Sequence, residues 1–554
     1  MSNSSQPLSR IDYGNKYVLV VDDFDQHLQF MRKALQGIGF ANIELAQNPK
    51  DAIALCADHS FDIIFCDYNM GEGKNGQQLL QELRHYKQVR HDCIFIMITA
   101  ETSREVVLGA IESEPEGYIA KPFNEAVLRR KLDRLMDKQT CLMDINTCIE
   151  EGDLEKAIVY CHESAERHPR HHSWCLKTAA ELHVKLKQYN DAKAVYKGFL
   201  KKRVLDWALL GLAKTYIHLE EYEKAIDELQ QVLVLNTNCV PAYDLLAVCH
   251  EKLNNLKEVQ VHLSHAAKLS PNSVARQNSL GDICAINEDF EFASKAYRSA
   301  LRSAKHSIEE SPDGYFKLAS AITDSMDGDL SRYDSTKAVE AHKVLAELDD
   351  RFEPKEETET RKDLVNVRLY LNQQNPERAL SVMSEIESGD RIEIDLLSAS
   401  ALFDMGQTLL ALGDEEKAHR ILLGLLNRDD VKETRKLHIR TLVANSKAGE
   451  LGGRASELNE QGAELYENDK LEDSIKIFSE ASRLSPKSVV VNLNLTQALL
   501  RYMETEKVTK SFKKQSEQCL ECIGELQEDS RHFARYKNLS QRFDALSGGP
   551  SMEN

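Results

Sequence analysis

Short apolar runs alternate with amphipathic stretches over the first hundred-odd residues. Residues 17–21, 61–66, 94–98 and 117–120 are apolar blocks of strand length, and 42–45 is a weaker fifth. Between and after them, 27–35, 50–56, 77–83, 104–111 and 125–135 carry apolar residues at helical spacing. Buried strands read as near-continuous apolar runs, whereas helices that cover a sheet show a 3.6-residue period. Five strand signals alternating with five helix signals predict a parallel α/β sheet with helices on both faces. Ligand sites in such sheets form at the carboxyl ends of the strands.

Beyond residue 140 the strand signal disappears and a repeat close to 34 residues takes over. Apolar-small pairs stand at Ala179-Ala180, Leu212-Ala213, Leu246-Ala247 and Leu280-Gly281. Twelve residues after the second of each pair come Ala192, Ala225, Val259 and Ala293, and four further on Tyr196, Leu229, Leu263 and Tyr297. Small residues there let two antiparallel helices approach, and the large ones fill the gap between neighbouring hairpins. Pro271 closes one unit. Gly406, Leu409, Ala418 and Leu422 fit another unit, as do Gly462, Leu465, Ser474, Phe478, Ala481 and Pro486. Between 308 and 398 helical periodicity persists with irregular spacing, expected as degenerate repeats of the same solenoid. No Pro-, Gly- or Ser-rich linker separates the two parts near 135–147, so a helical junction is expected to couple them.

The strand ends carry the candidate chemistry. The run 61–66 delivers Asp67; 17–21 delivers Asp22 and Asp23, an acid pair suited to Mg²⁺; 94–98 delivers Thr99 and the small Ala100; 117–120 carries Tyr118 and delivers Lys121 before Pro122. A carboxylate that accepts a phosphoryl group needs a divalent cation, an ammonium and a hydroxyl aimed at the same point. Each residue alone is an ordinary feature, since acid pairs often cap helices and Lys-Pro usually marks a turn. Their order on an alternating pattern is what carries the reading.

Residues 15–138 resemble the receiver domain of bacterial two-component response regulators. The resemblance rests on Val20-Val21-Asp22-Asp23-Phe24, Cys66-Asp67-Tyr68-Asn69-Met70, Ile98-Thr99-Ala100-Glu101 and Tyr118-Ile119-Ala120-Lys121-Pro122-Phe123. It implies a flavodoxin-like fold with strand order 2-1-3-4-5 and phosphorylation of Asp67 by a histidine kinase or phosphotransfer protein. It further implies Mg²⁺ held by Asp22, Asp23, Asp67 and the backbone carbonyl of Asn69. Lys121 would pair with the phosphoryl group, and Thr99 and Tyr118 would be the switch residues, repacking the fourth helix, fifth strand and fifth helix. One stretch departs from the family: Met70-Gly71-Glu72-Gly73-Lys74-Asn75-Gly76 has Gly71 in place of proline, Asn75 in place of an acid, and one extra residue. Two added glycines loosen such a loop.

The repeats resemble the tetratricopeptide repeat (TPR). The expected layout is a disordered 1–14, the receiver at 15–138, a helical junction and divergent hairpin at 139–172, and four TPR units at 173–305. Irregular repeats at 306–450, a C-terminal unit with capping helices at 451–543, and a disordered tail at 544–554 complete it.

Composition narrows the output. The formal net charge of −19 over 554 residues opposes binding to phosphate backbones, so no nucleic acid is expected. The polar start lacks an apolar signal core, and no run approaches the ~18 residues a membrane helix needs, so no membrane partner and a cytoplasmic location are expected. Twelve scattered cysteines suit a reducing compartment. Cys519 and Cys522 have ligand spacing but no second pair, and His162, His168, His171 and His172 read as a polar loop. The basic runs 197–203 and 507–514 read as solvated helix faces. No output enzyme is expected; the receiver itself accepts a phosphoryl group, with self-dephosphorylation allowed. The expectation is a response regulator whose output is phosphorylation-dependent protein binding in the groove of 173–305, with another regulator or a signalling enzyme as target classes. The alternative is a scaffold whose receiver only docks.

Overall fold

The computed structural model describes residues 12–547, apart from 72, 91, 101–114, 327, 329–331, 389–395, 487, 507, 525, 527–529 and 531. The described chain divides into two compact units, 1–327 with 331–353 and 328–330 with 354–554.

The first unit opens with β1 (Tyr17–Val21), β2 (Asn42–Ala46), β3 (Ile63–Asp67), β4 (Ile94–Thr99) and β5 (Gly117–Ala120), all parallel in the order β2-β1-β3-β4-β5. Alternation along the strands splits the core in two. Val18, Val20, Ile63, Phe65, Ile96 and Ile98 pack with α1 (Asp25–Ile38) and the helix after β5, while Leu19, Val21, Ile64, Cys66, Phe95 and Met97 pack with α2 (Pro49–Asp58) and α3 (Gly76–His85). Side chains on both faces of the central strands β1, β3 and β4 are buried almost throughout, as parallel strands covered by helices are. The helix expected at 104–111 lies outside the described residues.

After β5 the chain enters α4 (Glu125–Glu150), a 26-residue helix started by the Asn124 side chain accepting from the Val127 amide. Its first half buries Leu128, Leu132 and Met136 in the receiver core. Its second half buries Cys141, Leu142, Ile145 and Cys148 with α5 (Leu154–Arg167) and α6 (His172–Lys185). The expected boundary at 138/139 therefore falls inside one helix that belongs to two cores. The other end also shifts, because Tyr13, expected in a disordered leader, is 3% exposed and its hydroxyl donates to Asp133 on α4 at 2.6 Å.

Hairpins follow: α6 with α7 (Tyr189–Leu200), α8 (Asp206–His218) with α9 (Tyr222–Leu235), α10 (Val240–Lys252) with α11 (Leu256–Leu269), and α12 (Val274–Ile286) with α13 (Phe290–Ala304). Two further helices, α14 (Pro312–Asp324) and the longer α15 (Arg332–Arg351), complete the unit. Each regular hairpin turns through a non-glycine residue at positive φ, namely Lys187, Glu220, Asn254 and Glu288 at 59–62°. The following amides reach back five residues, as from Glu221 to the Tyr216 carbonyl at 2.9 Å, closing the first helix of the pair. Left-handed backbone favours glycine. Glu220→Gly is expected to stabilise the chain by about 0.5–1 kcal/mol, visible as a later urea midpoint at unchanged slope.

The second unit contains α16 (Glu356–Asn372), α17 (Pro376–Glu387), α18 (Ala399–Ala411), α19 (Glu415–Leu425), α20 (Glu433–Glu467), α21 (Leu471–Leu484), α22 (Val489–Thr505), α23 (Lys510–Ile523) and α24 (Phe533–Ser547). Its hairpins reuse the small-large device: a Cβ on Gly406 would stand 2.5 Å from Leu422, and one on Gly462 2.7 Å from Phe478. Two expected boundaries differ here. The 450/451 division falls inside the 35-residue α20, and the tail is shortened because α24 runs to Ser547. The division between units, near 353, lies within the stretch read as one irregular solenoid.

Candidate functional site

Four strand ends meet at one edge of the receiver sheet. Asp67 is the last residue of β3 and Thr99 the last of β4, and they are 7% and 1% exposed. Backbone bonds align these ends, with the Tyr68 amide on the Ile98 carbonyl and the Lys121 amide on the Thr99 carbonyl, each at 2.7 Å. Asp22, just past β1, is 4% exposed, and its Oδ1 accepts from the Phe24 amide at 2.9 Å. Asp23 beside it is exposed.

Lys121 Nζ bridges the acids, 2.9 Å from Asp22 Oδ2 and 2.8 Å from Asp67 Oδ1. The contact to Asp22 is an aligned hydrogen bond, whereas Asp67 Oδ1 has no aligned donor, so the latter is an ion pair by proximity. Burial is the largest influence on Asp67 and raises its pKa; Lys121 pulls it down, and Asp22 and Asp23 push it up again, for a net upward shift. Burial lowers the Lys121 pKa, but its two carboxylate partners more than reverse this. Two carboxylates thus share one ammonium, with the exposed Asp23 carboxylate beside them. Hard oxygen donors in negative excess fit a divalent cation such as Mg²⁺.

The loop after Asp67 is shaped by glycine. Gly71 and Gly73 have φ of 71° and 109°, and a Cβ on Gly71 would come 3.3 Å from Asp23 Oδ2. Asn69 is exposed and Glu72 lies outside the described residues. Gly76 opens α3 so close to β3 that a Cβ would stand 2.4 Å from the Asp67 carbonyl oxygen. Asn75 caps α3: its side chain accepts from the Gln78 amide at 2.9 Å, and Gln78 Oε1 accepts from the Asn75 amide at 3.0 Å. An asparagine here does the capping work of the acid expected from the family.

Tyr118 is half-buried and packs on the core cluster that holds Tyr68, Met70 and Met97. His27, in the first turn of α1, was not singled out by sequence. Its Nδ1 lies 3.2 Å from Lys121 Nζ and 3.3 Å from Asp22 Oδ1. The available signal was its place in the first turn after the acid pair.

The other sequence candidates separate from this site. His171 Nε2 pairs with Asp137 at 3.0 Å and His172 Nδ1 meets the Ala165 carbonyl at 3.2 Å, as a polar loop would. Cys519 is buried and Cys522 exposed on α23. Along the regular hairpins, Lys193, Lys197 and Lys224 surround the Tyr216 ring at 5.3–5.9 Å, so part of the 197–203 run lies against an aromatic face.

Receiver and repeats touch at a second place. Gln78 Nε2 donates to the carbonyls of Ser303 at 3.1 Å and Lys305 at 3.3 Å, at the end of α13. A cavity of about 440 Å³ beside this contact is lined by residues including Asn75, Gln81, Asn272, Arg302 and Glu309.

Comparison with known proteins accords with this geometry. Residues 18–133 match the response regulator receiver domain family, and 207–235, spanning α8 and α9, match the tetratricopeptide repeat. Chemotaxis protein CheY-3 of Vibrio cholerae serotype O1 is 34% identical over 124 residues, covering 22% of this chain and 94% of its own. Chemotaxis protein CheY of Pseudomonas aeruginosa is 30% identical over 121 residues, covering 22% and 96%. The solved structure of Vibrio cholerae CheY4 aligns at 30% identity, 22% of this chain and 98% of its own, with a TM-score of 0.20. With an acidic cleft built on a 2-1-3-4-5 sheet and relatives matched over nearly their full length, the chain belongs to the response regulator receiver family and joins that domain to a tetratricopeptide-repeat helical region.

Proposed function

We propose that this protein is a cytoplasmic two-component response regulator whose Asp67 takes a phosphoryl group from a histidine kinase or phosphotransfer protein. Its output is binding of a protein target by the repeats, in a phosphorylation-dependent way, without a dedicated output enzyme and without nucleic acid. Among the described residues no helix is long and apolar enough to cross a membrane.

In this reading a carboxylate oxygen of Asp67 attacks phosphorus, the bond to the donor nitrogen breaks, and an acyl phosphate forms. Asp22, Asp23, Asp67 and the backbone carbonyl of Asn69 would hold Mg²⁺, which when bound neutralises phosphoryl oxygens and holds them in line. Lys121, 2.8 Å from Asp67, remains beside the new anion. The Thr99 hydroxyl and Tyr118 ring act as the switch. The phosphoryl group adds a charge of about −1.5 to −2 at the strand ends.

The observation that carries the coupling is the path from Asp67 to the repeats. The loop after Asp67 leads straight to the capping box of α3, whose Gln78 grips the end of α13. Helix α4, built into both cores, gives a second rigid link. A phosphoryl-driven shift of the loop would bias how that grip holds. The test is capture of partners from native lysate by the full chain with and without beryllofluoride and Mg²⁺, with Asp67→Ala as control. A target gained or lost only on the wild type supports the switch; identical targets in every condition overturn it in favour of the scaffold.

Gln78→Glu isolates the grip. A glutamate at that position keeps the capping box but turns an oxygen toward the two carbonyls. Loss of two net-favourable hydrogen bonds is expected to speed amide hydrogen exchange over 300–307 by about tenfold while exchange in the sheet stays unchanged. Unaltered exchange there would remove the α3 contact from the coupling path.

A further inference from the structure

The hairpin of α10 and α11 holds a set of donors that the receiver chemistry does not use. His250 lies in the last turn of α10, and Glu258 and His262 lie four residues apart on α11, just past the turn through Asn254. One ligand atom from each of the three falls within 4.8 Å of the others. The two imidazoles face each other with centroids 5.2 Å apart and planes inclined by 20°. Nδ1 of His250 and Nδ1 of His262 are both buried, and neither has a hydrogen-bond partner. Buried polar atoms are normally paired, so an unpaired ring nitrogen on each of two facing imidazoles calls for an explanation.

We propose that His250, Glu258 and His262 bind a divalent transition-metal ion of the zinc type, pinning the α10–α11 hairpin at its turn. Two imidazoles and one carboxylate, with a water in the fourth position, form a donor set suited to zinc rather than to Mg²⁺, which prefers oxygen throughout. At bond lengths of about 2.0–2.1 Å the donors must close to about 3.4 Å of one another. Glu258 supplies much of that movement, since its side chain is 56% exposed and its Oε2 already lies 4.0 Å from His262 Nε2. Tyr243, stacked on His265 at 5.4 Å and lying 6.3 Å from His262, walls one side.

The test uses the full chain in excess Mg²⁺, which occupies the receiver carboxylates, titrated with Zn²⁺ by calorimetry and with Co²⁺ by visible absorption. The expected result is one equivalent of Zn²⁺, a tetrahedral Co²⁺ band without thiolate charge transfer, and a rise in melting temperature on zinc addition. His250→Gln combined with His262→Gln is expected to weaken binding by at least 100-fold, and Glu258→Gln by about tenfold. Glu258 is exposed, so its variant keeps the test valid if the double variant does not fold. No binding by the wild type, equal affinity in Glu258→Gln, or a thiolate-to-cobalt band pointing to cysteine ligands would each overturn the proposal.

Discussion

Asp67→Asn is expected to take no phosphoryl group from acetyl phosphate, where the wild type forms an acid-stable, base-labile adduct seen as added intact mass. The amide has no anionic oxygen to attack phosphorus, so the loss is total rather than graded. Lys121→Met keeps the nucleophile and removes the ammonium that sits 2.8 Å from it, and labelling is expected to slow by about 10²–10³-fold. Asp67→Asn should also gain stability without metal. The carboxylate is buried against Asp22 and Asp23, and its folded-state pKa lies above the ordinary value. Its ionised form therefore costs stability at neutral pH, a cost that fades as pH falls through the raised folded-state value and is gone below the ordinary carboxylate value. Asparagine carries no charge at any of these values, so the metal-free variant should be more stable by about 1 kcal/mol at pH 7. Excess Mg²⁺ should narrow the gap by binding the wild type more tightly. A labelled Asp67→Asn would place the acceptor elsewhere.

Tyr297→Ala is expected to cost about 3–5 kcal/mol and to detach the fourth repeat hairpin before the rest of the chain. The ring is 5% exposed and fills the space left by Gly281, where a Cβ would stand 2.5 Å from it. Its hydroxyl donates to Asp282 at 2.7 Å, and Lys317 of α14 both pairs with Asp282 at 2.7 Å and lies 5.5 Å over the ring. One side chain therefore ties α12, α13 and α14 together. Tyr297→Phe keeps the ring and loses the hydroxyl bond, so about 1 kcal/mol is expected. Because repeats contact mainly their neighbours, urea unfolding of Tyr297→Ala should show an added early transition. A loss below about 1 kcal/mol would mean that the hairpin repacks around the void.

Local signals were strong at the strand ends. Apolar runs that end in Asp67, Thr99 and Lys121, and one that leads into Asp22, follow from strand length and period, and order alone was enough to gather them at one sheet edge. The 34-residue spacing of Ala180, Ala213, Ala247 and Gly281 against Tyr196, Leu229, Leu263 and Tyr297 carried the hairpins for the same reason, since helix packing repeats with the helix period. His27 was less legible, because its contact with Lys121 joins residues 94 positions apart.

By itself, the sequence determined the classes of element, their alternation and the residues at the strand ends, because side-chain periods of 2 and 3.6 are written locally in the chain. It left the segment at 135–147 without a breaker, which determined that a helix would continue there. Only the tertiary structure decided that this helix, α4, would serve two cores, because burial depends on what each face meets. The same holds for Gln78 on Ser303, 225 residues away, and for His250 beside His262 across a turn. The division near 353 and the unbroken α20 were also settled by packing. Contacts between distant segments depend on how whole elements stack, and no local window of residues carries that information.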